Sequence, residues 1–166
     1  MNPSRIEISK TDKVPLRYVP NNLSKKDTKK QKKNLNKSRK MYKKGLYYVR
    51  PKVKSFKSRK SNHLARLQNK YGVENATPTQ ELASKTKCSL GTLEKIVNKG
   101  EGAYYSSGSR PNQTARSWGL ARLASTLTGG NASVIDYHLL KDGCAENSPA
   151  LKAAKKQCKS VNRKCE

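Results

Sequence analysis

The uneven distribution of charge is the feature that most constrains how this chain folds. Residues 1–70 carry 23 lysines and arginines against 3 acidic residues, whereas residues 71–166 carry 14 against 8. Apolar residues make up 33% of the chain, below the roughly 45–50% that is usual for a globular protein. We therefore expect a small core built mainly by the second half of the chain, preceded by a basic extension that needs an anionic partner.

Helical periodicity and helix-start signals predict a mainly α fold in three parts. Residues 1–60 are a long basic N-terminal arm, with an extended start, a cationic helix and a strand that would clip neighbouring subunits together. Residues 61–140 are a small, compact helical domain with a glycine-rich loop, and residues 141–166 form a C-terminal helix with lysines and cysteines. The sequence has neither an apolar run of about 20 residues nor an apolar leader, so we expect a protein that is neither membrane-spanning nor secreted.

The arm is predicted to contact other molecules. Ser24 caps a helix with Asp27 as its capping-box acid, and this helix has too few apolar residues to bury a face within its own domain. Leu46–Phe56 is predicted to be an edge strand or a clip between subunits, although its interleaved lysines and tyrosines would also suit stacking with RNA or single-stranded DNA. The residues expected to bind partners are Leu16, Tyr18, Lys25, Lys26, Lys29, Lys30, Lys32, Lys33, Tyr47, Tyr48, Val53 and Phe56.

A pair of short helices in the compact domain has two interpretations. Thr77 to Gln80 has the N-cap, proline and glutamine pattern of a helix start, and Ser89 begins a second helix that is predicted to end at Gly100. The pair resembles a helix-turn-helix in which Ser89, Thr92 and Lys95 face a DNA major groove, with a lysine where the turn usually has glycine. Simple helix packing explains the same pattern and is the preferred interpretation.

The stretch from Gly100 to Gly130 holds six glycines and the single tryptophan. We predict a shaped loop over residues 101–113, then a helix capped by Thr114 and ended by the paired glycines, with Arg116 and Arg122 exposed and Trp118 pinning the loop. Backbone N–H groups of the loop would also suit phosphate binding beside Arg110, but packing is preferred. The signature residues are Gly102, Tyr104, Tyr105, Arg110, Pro111, Trp118 and Arg122.

The motifs of known enzymes are not found in this sequence. Asp136 and His138 are the one candidate acid–base pair, and no nucleophile stands at a known spacing from them. The cysteines form no CxxC pair, so zinc spacing is lacking. We therefore expect no catalytic residue, no metal and no cofactor, and in a cytosolic product all four cysteines would be free thiols.

The string GAYYSSGSRPNQTARSWGLARLAS resembles the signature of an uncharacterised domain family of large eukaryotic DNA viruses of the phycodnavirus and mimivirus kind, with more distant versions in tailed phages. The similarity runs from about His63 to Cys144. It implies a virus with a large double-stranded DNA genome as the origin, and it brings no assigned catalytic residues. Many such viruses are thought to carry a thiol oxidase, so it also implies a disulfide among Cys144, Cys158 and Cys165.

Two functions follow as hypotheses. The leading one is a minor capsid, or cement, protein that is made in the host cytoplasm and assembled into the virion. Its arm would bridge the major capsid protein and other minor capsid proteins or line the inside of the shell. The alternative is a virion protein that binds and condenses nucleic acid; the anionic surface of an inner membrane is a further candidate partner.

Overall fold

A computed structural model describes residues 14–165, which form eight α-helices, a single 3-10 turn and no β-strand. The mainly α prediction is therefore confirmed, whereas the first thirteen residues of the predicted arm lie outside the described part. The 3-10 turn is Leu16–Tyr18, and the helices are α1 (Lys25–Lys43), α2 (Asn62–Tyr71), α3 (Gln80–Thr86), α4 (Leu90–Ser106), α5 (Ala115–Leu127), α6 (Asn131–Ile135), α7 (Tyr137–Gly143) and α8 (Pro149–Ser160).

Side-chain caps fix where most of these helices begin. A hydroxyl accepts a hydrogen bond from a backbone N–H of the first turn at the predicted N-caps Ser24, Ser89 and Thr114, and also at Ser61 and Ser148. These bonds satisfy N–H groups that have no partner within the helix. The predicted start of α3 is wrong by two residues, because Thr79 rather than Thr77 supplies its cap.

Helices α4 and α5 cross at two glycines, which sets the geometry of the core. A Cβ atom on Gly100 would lie 2.7 Å from the Cα of Gly119, and a Cβ on Gly119 would lie 2.6 Å from the carbonyl oxygen of Val97. The predictions that Gly100 ends a helix and that a loop begins at residue 101 are therefore wrong. Glycine is needed here for close approach of two helix backbones, and α4 continues to Ser106.

The main core lies around this crossing and includes the C-terminal helix. It buries side chains from α2 to α5, α7 and α8, and its largest fully buried members are Leu67, Leu82, Leu93, Ile96, Val97, Leu123, Leu127 and Leu140. From α8 it takes Ala150, Leu151, Ala154 and Cys158. Residues 61–140 and α8 therefore share one core.

A second, smaller core joins the described part of the arm to the domain. It contains Val14, Tyr18, Val19, Leu23, Leu35 and Val53, with Phe56 and Trp118 packed against it. The expectation that α1 buries no face within its own chain is wrong. Its inward stripe is mostly polar but hydrogen-bonded: Gln31 Nε2 donates to the carbonyl of Tyr18 at 3.1 Å, and Ser38 Oγ donates to that of Tyr105 at 3.1 Å.

One disulfide ties the C-terminal quarter to the core, and a second lies within that quarter. Cys88 pairs with Cys144, and Cys158 pairs with Cys165, so none of the four cysteines is free. The bond between Cys158 and Cys165 joins two of the three cysteines considered above. The pairing of Cys88 contradicts the expectation of free thiols, and the distance of 56 residues to its partner explains why spacing did not reveal it.

Candidate functional site

Arg50 is the central contact between the arm and the domain. Its buried guanidinium donates from Nη1 to Ser38 Oγ at 2.9 Å and to the carbonyl of Tyr104 at 2.6 Å, and from Nη2 to Ser109 Oγ at 2.8 Å. It also lies 3.8 Å from the centre of the Tyr104 ring. Burial lowers the pKa of Arg50, and the electrostatic effect of the neighbouring phenols of Tyr104 and Tyr18 opposes it. The N–H donors of this guanidinium thus connect α1, α4 and the loop that follows α4.

The loop between α4 and α5 holds the segment after Arg50 through Asn112. The Asn112 amide nitrogen donates to the carbonyls of Val53 and Phe56, both at 3.1 Å, and its Oδ1 accepts from the Val53 N–H at 2.8 Å. Gly108 has φ +123°, and a Cβ there would lie 2.8 Å from Leu35 Cδ2. Three residues of GSRPN, namely Gly108, Ser109 and Asn112, therefore contact the chain's own arm.

The other signature residues are divided between helix and loop. Gly102, Tyr104 and Tyr105 lie in the last two turns of α4, so the N–H groups predicted to cradle phosphate belong to a helix, and that hypothesis is wrong. Arg110 is exposed and Pro111 is buried. Trp118 packs edge-on against Tyr18, with ring centres 6.0 Å apart, so its observed aromatic contact is with the arm.

Asp136 is an internal ion-pair centre and not half of an exposed acid–base pair. It is fully buried, and its carboxylate accepts hydrogen bonds from Arg122, Lys99 and Thr126 at 2.8 to 3.0 Å. Burial alone would raise the pKa of Asp136, but the bonds and charges of Arg122 and Lys99 hold it below its usual value. His138 is exposed, and the prediction that Arg122 is a fully exposed side chain is wrong.

The helix-turn-helix interpretation fails at two of its three predicted DNA-facing residues, Ser89 and Thr92, whereas the third, Lys95, is exposed. Lys87 adopts the left-handed conformation at the turn, with φ 54°, where the motif usually has glycine. Thr92 is only 5% exposed, and the Ser89 hydroxyl caps α4, so neither is available for a major groove. The N–H of Ser89 donates to the carbonyl of Gly143 at the end of α7. The pair is packed as ordinary core helices.

Helix α1 presents a continuous cationic surface to solvent, which we call the basic face. Its one acid, Asp27, points inward and accepts from the N–H and hydroxyl of Ser55 at 2.8 and 2.6 Å, and these bonds lower its pKa. Four ion pairs are recorded among the described residues, and none involves α1. The basic face consists of Lys25, Lys26, Lys29, Lys30, Lys32, Lys33, Lys37, Lys40 and Lys43, all exposed.

A patch of exposed apolar side chains follows the end of α1, and we call it the tyrosine patch. It consists of Tyr42, Leu46, Tyr47 and Val49, with Tyr47 and Val49 each about two-thirds exposed. The Tyr47 ring lies 5.1 Å from that of Tyr105 and 6.1 Å from that of Tyr42. Because these rings contact each other, the patch has a defined shape.

The remaining predicted partner contacts differ widely in exposure. Leu16 is exposed, whereas Tyr18 and Val53 are buried in the smaller core and Phe56 is half-buried. Tyr48 is half-buried and donates to Asn34 Oδ1 at 3.2 Å. Tyr18 and Val53 therefore stabilise the chain itself.

A groove of about 630 Å³ opens between the 3-10 turn, the C-terminal ends of α1 and α4, and α5. Among residues 14–165, the groove is lined by no acidic side chain and by four cations: Arg17, Arg39, Lys43 and Arg122. Trp118, Ser106 and Ser107 supply an aromatic surface and hydroxyls. We call this site the arginine groove.

Sequence reasoning missed Arg50, Ser109, Asn112 and Lys99. Arg50 gave a weak signal, since it lies between Val49 and Pro51 in an otherwise apolar stretch. Within the described range the structure shows no cluster of three or more potential metal ligands. No helix there has the length and apolar character needed to cross a membrane.

This arrangement defines a compact helical protein with a cationic surface and an aromatic patch. Residues 15–141 match the model of a family of unknown function, DUF5824, so the chain belongs to that family. No curated protein and no solved structure matches the chain. The matched range begins well before His63, where the predicted similarity starts, and it includes α1 and the segment bound by Asn112. This wider range agrees with the packing of both segments onto the domain.

Proposed function

We propose that this protein binds nucleic acid through the basic face, as a structural component that packages a genome. The observation that carries the proposal is a row of nine exposed lysines on α1, none of which forms an ion pair with another residue that the structure describes. A helix of 19 residues is about 28 Å long, so it spans many phosphates of a duplex, which carries one charge per about 1.7 Å.

The packing of α1 onto the domain favours binding to the regularly spaced phosphates of nucleic acid. Buried polar bonds and Leu35 fix the helix on the domain, so its lysines bind without the entropic cost of ordering a free arm. Release of counterions from the phosphates then supplies the affinity. The viral resemblance suggests that the bound genome is a large double-stranded DNA inside a virion.

The salt dependence of duplex binding tests the proposal. For a 30-base-pair DNA, we expect log Kd to rise steeply with log salt concentration, because each phosphate contact contributes a slope of about 0.9. Replacing Lys26, Lys29, Lys32 and Lys33 with glutamine should reduce that slope markedly. The matched control replaces four exposed lysines of α8 with glutamine: Lys152, Lys155, Lys156 and Lys159. An equal reduction in both variants would show that net charge alone drives binding, and the proposal would fail.

The tyrosine patch favours a second candidate, the minor capsid protein. Its four apolar side chains stand exposed beside Lys43 and Lys44, so they suit a protein partner with an apolar centre and an acidic rim. The major capsid protein or another minor capsid protein would supply that surface. In this role the protein would be recovered with the shell after genome and membrane are stripped from virions.

The two roles separate in one experiment on virions. If the patch docks on capsid protein, a Tyr47→Ser, Val49→Ser variant should no longer be recovered with the shell fraction. Its binding to DNA should stay unchanged. A variant that stays with the shell contradicts capsid docking by the patch. Release of the unmodified protein with the DNA core at low salt would support the genome-binding role alone.

A further inference from the structure

The arginine groove is pre-formed for a negatively charged ligand. Arg39 donates from both Nε and Nη2 to the carbonyl of Ser107, at 2.9 and 2.7 Å, which fixes its guanidinium at the end of α4. The Arg17 guanidinium lies 4.8 Å from the centre of the Tyr18 ring, and Asp136 orients Arg122. Because these side chains are already oriented, an anion would bind them with little loss of side-chain entropy.

The groove also offers an aromatic surface beside these cations. Trp118 is partly exposed and lines the groove, while the Tyr18 ring holds it edge-on. An indole next to arginines can bind a base by stacking while the cations contact the adjacent phosphates. The groove volume of about 630 Å³ is within the usual range of small-ligand pockets, and it suits one or two nucleotides.

We propose that the arginine groove binds a single-stranded segment of nucleic acid, with phosphates at Arg17, Arg39 and Lys43 and a base against Trp118. The inference rests on the nucleic-acid function proposed above and adds a second site with a different ligand form. In a duplex the base faces are stacked on their neighbours, so only an unpaired base reaches the indole. The basic face, by contrast, contacts backbone phosphates and requires no unpaired base.

Fluorescence of Trp118, the one tryptophan in the chain, tests this directly. We expect a dodecamer of thymidylate to quench it saturably, because the base contacts the indole. Inorganic polyphosphate should compete with the oligonucleotide without the same quenching, since it has phosphates but no base. A 12-base-pair duplex should bind through the basic face and leave the fluorescence nearly unchanged.

Substitutions in the arginine groove and in the basic face test which site binds which form of nucleic acid. Arg17→Gln with Arg39→Gln, two groove arginines outside the basic face, should weaken dodecamer binding about tenfold or more and leave duplex binding nearly unchanged, whereas Lys29→Gln with Lys33→Gln should do the reverse. Trp118→Leu should weaken dodecamer binding about tenfold, and Trp118→Phe should restore most of it. The phenylalanine variant separates stacking from any loss of packing, and labelled dodecamer provides the readout in both.

The outcomes separate the two proposals. Duplex binding without quenching by the dodecamer, together with full dodecamer affinity in the Arg17 and Arg39 variant, overturns the groove assignment and leaves the basic face standing. Equal quenching by polyphosphate and dodecamer overturns base stacking, since the groove would then accept any polyanion. Failure of both nucleic acids to bind at low salt overturns the proposed function and the groove assignment with it.

Discussion

Arg50 illustrates how a single buried cation is stabilised without a carboxylate. Its guanidinium has neutral acceptors on Ser38, Ser109 and the Tyr104 backbone, together with the face of the Tyr104 ring. A buried charge costs several kcal/mol unless hydrogen bonds compensate for lost water, as these do. Because the acceptors belong to three segments, the arginine couples their positions.

We predict that Arg50→Met lowers the free energy of unfolding by about 3 kcal/mol, because three hydrogen bonds are lost and their acceptors stay buried. Arg50→Lys should lose most of the same energy, since an ammonium cannot reproduce the fork. Urea unfolding followed by Trp118 fluorescence measures both. The control is Arg59→Met at an exposed position, where a change within about 0.5 kcal/mol is expected. Equal loss in the control would contradict the role of Arg50.

Asp136 should make the protein sensitive to acid. Its pKa is lowered in the folded state, so the stabilisation is present above the unfolded pKa of about 3.9 and is lost as pH falls toward the folded value. Asp136→Asn should therefore be less stable at pH 7 and lose less stability between pH 5 and pH 3. Thermal melts across that range measure the slope, with exposed Asp142→Asn as control. An unchanged acid slope in Asp136→Asn would refute the assignment.

At the scale of the elements, the crossing of α4 and α5 decides the fold. Gly100 and Gly119 let the two backbones meet, and the polar stripe of α1 then packs against the far end of α4. Most of the described chain is therefore arranged around one long helix. Its length depends on a glycine being tolerated in the middle of α4, at a cost that the close contact offsets.

We predict that Gly119→Ala destabilises the protein by about 2–4 kcal/mol, because its methyl group would overlap the backbone of Val97. Gly91→Ala in the first turn of α4 is the matched control, since a Cβ there meets nothing within 4 Å. That control should be neutral or more stable by up to about 1 kcal/mol. Chemical denaturation of the two variants compares them, and similar stabilities would show that the crossing tolerates a side chain.

A helix boundary or a buried face can be predicted from sequence when the interactions that determine it are between residues close together in the chain. Capping is local, so the starts of α1, α4 and α5 follow from the positions of Ser24, Ser89 and Thr114. A glycine at a helix crossing and a glycine at a helix end look alike in one sequence, so Gly100 was misassigned. The inward face of α1 was missed because Gln31 and Ser38 are buried through distant acceptors, which apolar periodicity does not detect.

The candidate site was predictable only in its simplest component. The exposed lysines of α1 follow directly from composition and helical spacing. The arginine groove does not, because Arg17, Arg39 and Arg122 come from three separate elements, and only packing brings them together. Tyr18 and Val53 look like partner contacts in the sequence because the small core that buries them depends on distant residues.

For the whole molecule, one disulfide joins the C-terminal quarter to the rest, and a second closes a loop within that quarter. The Cys88–Cys144 bond closes a loop across 56 residues and joins the turn after α3 to the end of α7. The Cys158–Cys165 bond closes a short loop at the end of α8. Longer loops restrict the unfolded chain more, so the first bond should stabilise the fold more than the second.

We predict that Cys88→Ser with Cys144→Ser lowers the free energy of unfolding by about 2–4 kcal/mol under oxidising conditions. The matched variant Cys158→Ser with Cys165→Ser should lose less. Thermal melts compare the two, and thiol titration of the denatured, unreduced protein should detect no reactive thiol. Free thiols in that titration would contradict both bonds.

Residues 107–114 anchor the arm by hydrogen bonds, and this affects how the chain behaves while it is being translated. The lysines of α1 leave the ribosome before Ser109 and Asn112 exist, so the nascent arm emerges with no docking site for Arg50 or Val53. Contacts across 59 residues form late and slow the folding of small proteins. During that interval a strongly cationic, unanchored segment is exposed to every polyanion near the translation machinery, so the newly made protein has its broadest binding before it folds.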